Sequence, residues 1–341
     1  VRKSLELEND NPKEFALTDS QNLYEILLDR MNDLIKDKKK LIIIPDESLY
    51  GIPFELLHDK INNKWLIEKH AVSISPSAYS YIALNYDDNL EFSSGNSFLG
   101  FGDPVIREQK IAESSNFEDI LELEFSKIFT RGGNVNLKYL KMFPELPETA
   151  IELEKISKKF DLNSKVYLRD DFNEETINSI NFNDYKVVSF ASHALVVGEI
   201  DGLSEPSIIL SLPKKITNIN DGLLTASEII KLNINSDLVI LSACNTAASD
   251  GNANSEALSG LANSFFYSGA KSLMVTHWSV ISNTSVDLMT DTFDFLESSN
   301  EDLSIALMKS KIKMLNNPDT SHPIFWAPYT LVGRTKMSIG N

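Results

Sequence analysis

The sequence predicts an α/β protein built on a mostly parallel sheet flanked by helices, and three observations carry that reading. Short continuous apolar runs, among them Leu41-Ile42-Ile43-Ile44, Val187-Val188-Ser189-Phe190-Ala191, Leu238-Val239-Ile240-Leu241 and Ser272-Leu273-Met274-Val275-Thr276, have the length and composition of strands covered on both faces. Segments with helical spacing alternate with them, the order expected of a layered α/β chain. Two of the runs lead into chemically reactive residues, His193 and Cys244, 51 positions apart.

Taken in order, residues 20–36 place Leu23, Ile26, Leu27, Met31, Leu34 and Ile35 at helical spacing and feed the run at 41–45, which reads as a buried strand. Pro53–Leu57 reads as a helical turn, Ala71–Pro76 as a strand closed by proline, and Ser97–Gly102 as a further strand. Residues 1–40 are thus a helical lead-in, and 41–145 a smaller α/β unit that precedes the main one. Within it, residues 105–145 lack sustained periodicity and read as an insertion or mobile connection. From 146 to 335 the pattern sharpens into the main domain. Ala150, Leu153, Ile156 and Phe160 mark a helix, Lys165–Leu168 a strand, Asn173–Ile180 a helix and Ser207–Leu210 a strand. Thr225-Ala226-Ser227-Glu228 has the form of a capping box, in which hydroxyl and carboxylate each satisfy an orphan amide. After Cys244 a polar loop leads to Leu258, Leu261, Ala262 and Phe265, the stripe of a helix lying on a sheet, and Gly269 ends it.

The 341 residues are 42% apolar and 24% charged, with a net charge of −17, so no nucleic-acid partner is expected. The one basic run, Lys36 with Lys38–Lys40, reads as a solvated helix end. No stretch has the length of a membrane helix and no secretion signal opens the chain, so a cytoplasmic location is expected. The opening valine suggests a piece of a longer protein or a processed end. The histidines at 58, 70, 277 and 322 lack metal-ligand spacing, and Gly100-Phe101-Gly102 is no dinucleotide fingerprint, so neither metal nor cofactor is expected.

A lone cysteine in such a chain is either an inert buried thiol or a working one. Neighbouring parallel strands that run out at Cys244 and His193 would deliver both to the carboxyl edge where open α/β sheets carry their sites. The Ala243-Cys244 dipeptide with a histidine about 50 residues upstream follows the caspase-type spacing, although Asn245-Thr246 depart from its signature. In this reading Cys244 is the nucleophile, His193 the general acid and base, and the amides of Ala194 and Cys244 the oxyanion donors. Trp278 is read either as a wall of the substrate groove or as a core residue, and Phe325, Trp326 and Tyr329 as packing.

Several linked motifs resemble the CHAT domain, a caspase-like cysteine peptidase group related to separase. They are Leu241-Ser242-Ala243-Cys244-Asn245-Thr246, Gly260-Leu261-Ala262, Ser268-Gly269-Ala270 and His277-Trp278-Ser279-Val280. Ile44-Pro45-Asp46, Pro53–Leu57, Ser75–Ala78, Gly100–Pro104, Trp326–Tyr329 and Leu331–Gly333 extend the likeness over roughly residues 20 to 335. The resemblance implies a caspase-like fold preceded by a pseudo-peptidase-like unit, and assigns the family's histidine to His193 and its cysteine to Cys244. It also implies a protein or peptide substrate and a regulatory sensor or repeat module outside this chain, of the kind found in bacterial TPR-CHAT defence proteins linked to CRISPR or gasdermin systems.

Two departures stand out. Ala194 follows His193 where the family usually has glycine, which removes the freedom to adopt a positive φ. Relatives that cut after basic residues carry aspartates shortly after the tryptophan, whereas Ser282, Asn283 and Thr284 occupy that region here. A pocket formed with Trp278, Ser279 and Ser282 is then uncharged and favours a neutral P1 residue, unless Asp46, Glu47 or Asp250 supplies a charge. The rival readings are a catalytically silent caspase-like scaffold and a thiol acyltransferase or thioesterase.

Overall fold

A computed structural model describes residues 1, 4–8, 11–46, 49–86, 97–106, 140–141, 143–197, 202–213, 217, 220–242, 260–278, 282–299 and 301–337. Its frame is an eight-stranded sheet. In chain order the strands are β1 (Lys40–Ile43), β2 (Ala71–Ile74), β3 (Phe98–Gly102), β4 (Lys165–Leu168), β5 (Val187–Ala191), then β9 (Leu238–Ser242), β10 (Ser272–Thr276) and β11 (Tyr329–Gly333). Between β5 and β9 the short strands β6 (Ala194–Leu195), β7 (Ser207–Ile209) and β8 (Leu223–Thr225) form an antiparallel sheet of their own. The large sheet runs β1-β2-β11-β10-β9-β5-β3-β4. Strands β4, β3, β5, β9 and β10 are mutually parallel, β11 is antiparallel to β10, and β2 and β1 run parallel to β11.

Side chains alternate across the sheet, so each strand contributes to two cores. Val188, Phe190, Val239, Leu241, Leu273 and Val275 face one layer, which includes helices α1 (Leu17–Leu27), α4 (Glu174–Ser179), α5 (Ala226–Ile229) and α6 (Gly260–Tyr267). Phe101 lies within 5.6 Å of the rings of Phe190, Tyr167 and Phe172 there. Val187, Ala191, Leu238, Ile240, Met274 and Leu331 face the other layer, built from α3 (Pro147–Ser157), α7 (Ser282–Ser299), α8 (Leu303–Leu315) and the short α9 (Pro323–Trp326). The remaining helix, α2 (Ala78–Tyr86), follows β2.

The expected elements appear within a few residues of their predicted ends. The capping box forms as read, with Glu228 accepting from the Thr225 amide at 3.0 Å. Gly269 ends α6 at φ +107°, and an added Cβ would meet the Asn235 side chain at 2.3 Å. Three expectations are corrected. The run at 41–44 is an edge strand, with Ile42 and Ile44 exposed, because a continuous apolar run does not reveal where in a sheet it pairs. The 20–36 helix breaks after Leu27 into helical turns at Asp29–Met31 and Asn32–Ile35. The N-terminal strands also add to the main sheet. Strand β3 pairs between β4 and β5, so one sheet carries strands from both sides of residue 145.

A buried ion pair joins the two ends of the chain. Lys311 of α8 reaches Glu55, in the turn at Phe54–Leu56, and the backbone carbonyl of Tyr329. Both charged side chains are almost fully enclosed, and burial pulls the lysine pKa down while raising that of the glutamate.

Candidate active site

The carboxyl edge of β5 and β9 carries the site. These strands pair in parallel register, Phe190 opposite Leu241 and Ala191 opposite Ser242. Beyond Ala191, Ser192 donates its hydroxyl to the Ile209 carbonyl at 2.5 Å, and the Ile209 amide donates to the His193 carbonyl at 2.9 Å. The small sheet therefore grips the backbone on either side of the imidazole.

His193 is buried, with Nε2 2.8 Å from the Pro144 carbonyl and the Phe143 ring 5.0 Å from its own. A carbonyl can only accept, so in the neutral imidazole the proton is on Nε2 and the lone pair on Nδ1. The residues that follow Pro144 are held in place. The Thr149 hydroxyl donates to the Leu146 carbonyl at 2.7 Å and accepts from the Asp103 amide at 2.8 Å. Arg169 pairs with Asp103 at 3.2 Å and with Glu145 at 3.6 Å. Asp103 and Arg169 follow β3 and β4 at this same edge and both adopt positive φ, 47° and 53°. Non-glycine residues in that region concentrate at functional edges.

Ala194 is not among the positive-φ residues of the described chain, so its methyl group imposes no strain where the family has glycine. The bond from Ile209 to His193 makes Ala194 and Ile208 the kind of antiparallel pair that exchanges no hydrogen bonds. The Ala194 N–H consequently points away from β7.

Directly below the end of β9 lies a cluster that the sequence reading missed. Glu152 of α3 places Oε1 3.2 Å from the Ser242 hydroxyl and Oε2 2.9 Å from the Ser285 hydroxyl of α7. The Tyr329 hydroxyl of β11 contacts both, Ser285 at 2.7 Å. Burial raises the Glu152 pKa to about 7 and pushes that of the tyrosine above its ordinary value. A signal for Glu152 exists. Thr149, Glu152, Leu153 and Ile156 recur at i, i+3, i+4 and i+7, which puts the carboxyl on the buried stripe of α3. Helix and sheet approach closely here because an added Cβ on Gly102 would meet Leu153 at 2.6 Å and Thr149 at 3.0 Å. That is what Gly100-Phe101-Gly102 does in this fold.

The other predicted site residues fall as follows. Cys244, Ser279, Glu47 and Asp250 lie outside the described residues. Ser282 is the first residue of α7. Trp278 follows β10, is buried, and donates its indole N–H to the Ile324 carbonyl at 3.2 Å. The fold does not bring Asp46 to this edge. It is exposed beyond β1, which is four strands from β9, roughly 19 Å at ordinary strand spacing, and runs in the opposite direction. Sequence proximity to a motif could not reveal that reversal. Pro144 and Phe143 fall in the segment expected to be a mobile connection, yet they seat the imidazole.

The CHAT domain family model matches residues 18–334. The chain belongs to the CHAT domain family. A search of curated proteins finds no match to it. Among solved structures, it is similar to the Saccharomyces cerevisiae separase–securin complex at 14% identity and TM-score 0.48, covering 88% of this chain and 16% of that one. It is also similar to the Porphyromonas gingivalis RgpB pro- and mature-domain complex at 7% identity and TM-score 0.47, covering 95% and 69%. The Arg-specific cysteine proteinase gingipain R matches at 6% identity and TM-score 0.45, covering 80% and 56%. This CHAT chain thus spans about one sixth of the separase chain. The α/β class with a mostly parallel sheet, expected from the sequence, is the fold observed.

Proposed function

We propose that this CHAT domain is a cysteine endopeptidase in which Cys244 and His193 form the catalytic dyad. The observation that supports it is the register of β5 and β9. Ala191 and Ser242 are paired, and the histidine and cysteine each follow two residues later. Neighbouring strands lie ~4.8 Å apart and two residues span at most ~7 Å, so this register starts the histidine and cysteine segments from one rim of the sheet.

In the reaction, Nδ1 of His193 takes the thiol proton and the thiolate attacks the scissile carbonyl carbon. The amides of Ala194 and Cys244 hold the oxyanion. The imidazolium then gives its proton to the departing amine, leaving a thioester. Water, deprotonated by the same Nδ1, hydrolyses the thioester, and the proton returns to the cysteine. The Pro144 carbonyl keeps Nε2 protonated throughout and stabilises the imidazolium.

The substrate is a particular protein partner, and cleavage is controlled by a sensor or repeat module in bacterial defence; the family resemblance supports this part. The P1 residue is neutral, since Ser282, Asn283 and Thr284 carry no charge and Asp46 belongs to the opposite edge. An iodoacetamide-type probe at graded pH tests the dyad. Alkylation of Cys244 below pH 7 that is lost in His193→Ala is expected, whereas equal labelling of both proteins would refute it. A peptide library should show cleavage after apolar or small residues; a profile dominated by arginine would overturn the pocket assignment.

A further inference from the structure

The ring of Glu152, Ser242, Tyr329 and Ser285 has four contacts and three hydroxyl protons. With a carboxylate at Glu152, one contact must bring two oxygens together without a hydrogen between them. With a carboxylic acid there are four protons for four contacts, and the ring closes in one direction. Glu152 donates to Ser242, Ser242 to Tyr329, Tyr329 to Ser285, and Ser285 to the second oxygen of Glu152. The four side chains come from α3, β9, β11 and α7, so the closed ring ties the end of β9 to β11 and to two helices of the layer that covers this face.

We propose that Glu152 is a positioning residue for Cys244, held as a carboxylic acid that closes the hydroxyl ring and fixes the Ser242 strand end from which the nucleophile is carried. This rests on Cys244 being the nucleophile. Ionising Glu152 opens the ring at a contact of Tyr329, and the strand end loses one of its anchors. The group ionises near neutrality because burial outweighs the two serine hydroxyls, with Glu148 one turn earlier on α3 adding repulsion.

The elements packed around α3 supply few other charges. β3 and β5 carry none, and β4 carries Lys165 and Tyr167, the tyrosine facing the opposite core. α7 carries Asp287 and Glu297, which are exposed, Asp291 paired with Lys313, and Asp294 paired with Lys159. Behind Tyr329 lies Lys311, paired with Glu55.

The test follows Cys244 alkylation and peptide cleavage in wild type, Glu152→Gln and Glu152→Leu from pH 5.5 to 8.5. Glutamine can donate to Ser242 and accept from Ser285 without titrating, so Gln and wild type should match at low pH. Their rate ratio should then rise several-fold through pH 7. Leucine, which breaks two contacts, should lower kcat about tenfold or more with little change in KM. A Gln to wild-type ratio that stays flat across the range would overturn the proposal. Should the Leu variant fail to fold, carbon NMR of the Glu152 carboxyl decides: a midpoint near 7 supports the closed ring, and one near the ordinary carboxylate range refutes it. Loss of alkylation in wild type itself would instead count against the Cys244 reading.

Discussion

Glu152→Gln should stabilise the protein as the pH rises, by an amount the buried carboxyl sets. The folded-state pKa is raised from 4.5 to about 7. Between those values the folded chain keeps a proton that the unfolded chain has released, so the wild type loses stability with rising pH. The favourable contribution is complete below 4.5 and is gone once the pH passes the folded pKa. Each unit is about 1.4 kcal/mol, so the whole interval amounts to about 3 kcal/mol. Glutamine does not titrate, so its stability relative to wild type should increase by about 2 to 3 kcal/mol between pH 5 and 8. Urea denaturation at several pH values measures this. Glu174, buried beneath the amides of Asp221 and Gly222, also titrates at about 7, but it is common to both proteins and cancels in the difference. A stability difference that is constant across that range would show that Glu152 does not carry the proton, and the ring argument would fall with it.

Two further outcomes are expected. Lys311→Met should cost about 3 to 5 kcal/mol in urea denaturation, since it strands Glu55 in the core, whereas Lys311→Met combined with Glu55→Leu should recover much of the loss; equal instability of the two would contradict this. Gly102→Ala should force α3 away from β3, lowering stability by about 1 to 3 kcal/mol and reducing Cys244 alkylation more than an alanine at Gly51, where no atom lies within 4 Å; equal effects at the two glycines would refute the close-approach account.

What was legible in the sequence was legible because it is local. The runs at 187–191 and 238–242 are apolar except for Ser189 and Ser242, since both faces of β5 and β9 are covered, and that announces central parallel strands. The Thr225–Glu228 box spans four residues and forms as read. His193 could be chosen because it follows such a run. Pairing is not local, so the exposed edge position of β1 and the reversal that carries Asp46 away from the site were invisible. Tyr329 was read as packing, which its ring does, while its hydroxyl acts in a ring of partners 44, 87 and 177 residues away. Pro144 contributes through its carbonyl oxygen, a group every residue possesses, and no pattern of side chains could have singled it out.

The position of β11 has a consequence for how the chain is made. It alone joins β1 and β2 to the other five strands, and it begins 255 residues after Ile74. At about 5 to 20 residues per second, a ribosome needs roughly 13 to 50 seconds to supply it. During that wait one edge of the nascent β2 presents unpaired backbone N–H and C=O groups, a natural landing place for a chaperone and a hazard if none arrives.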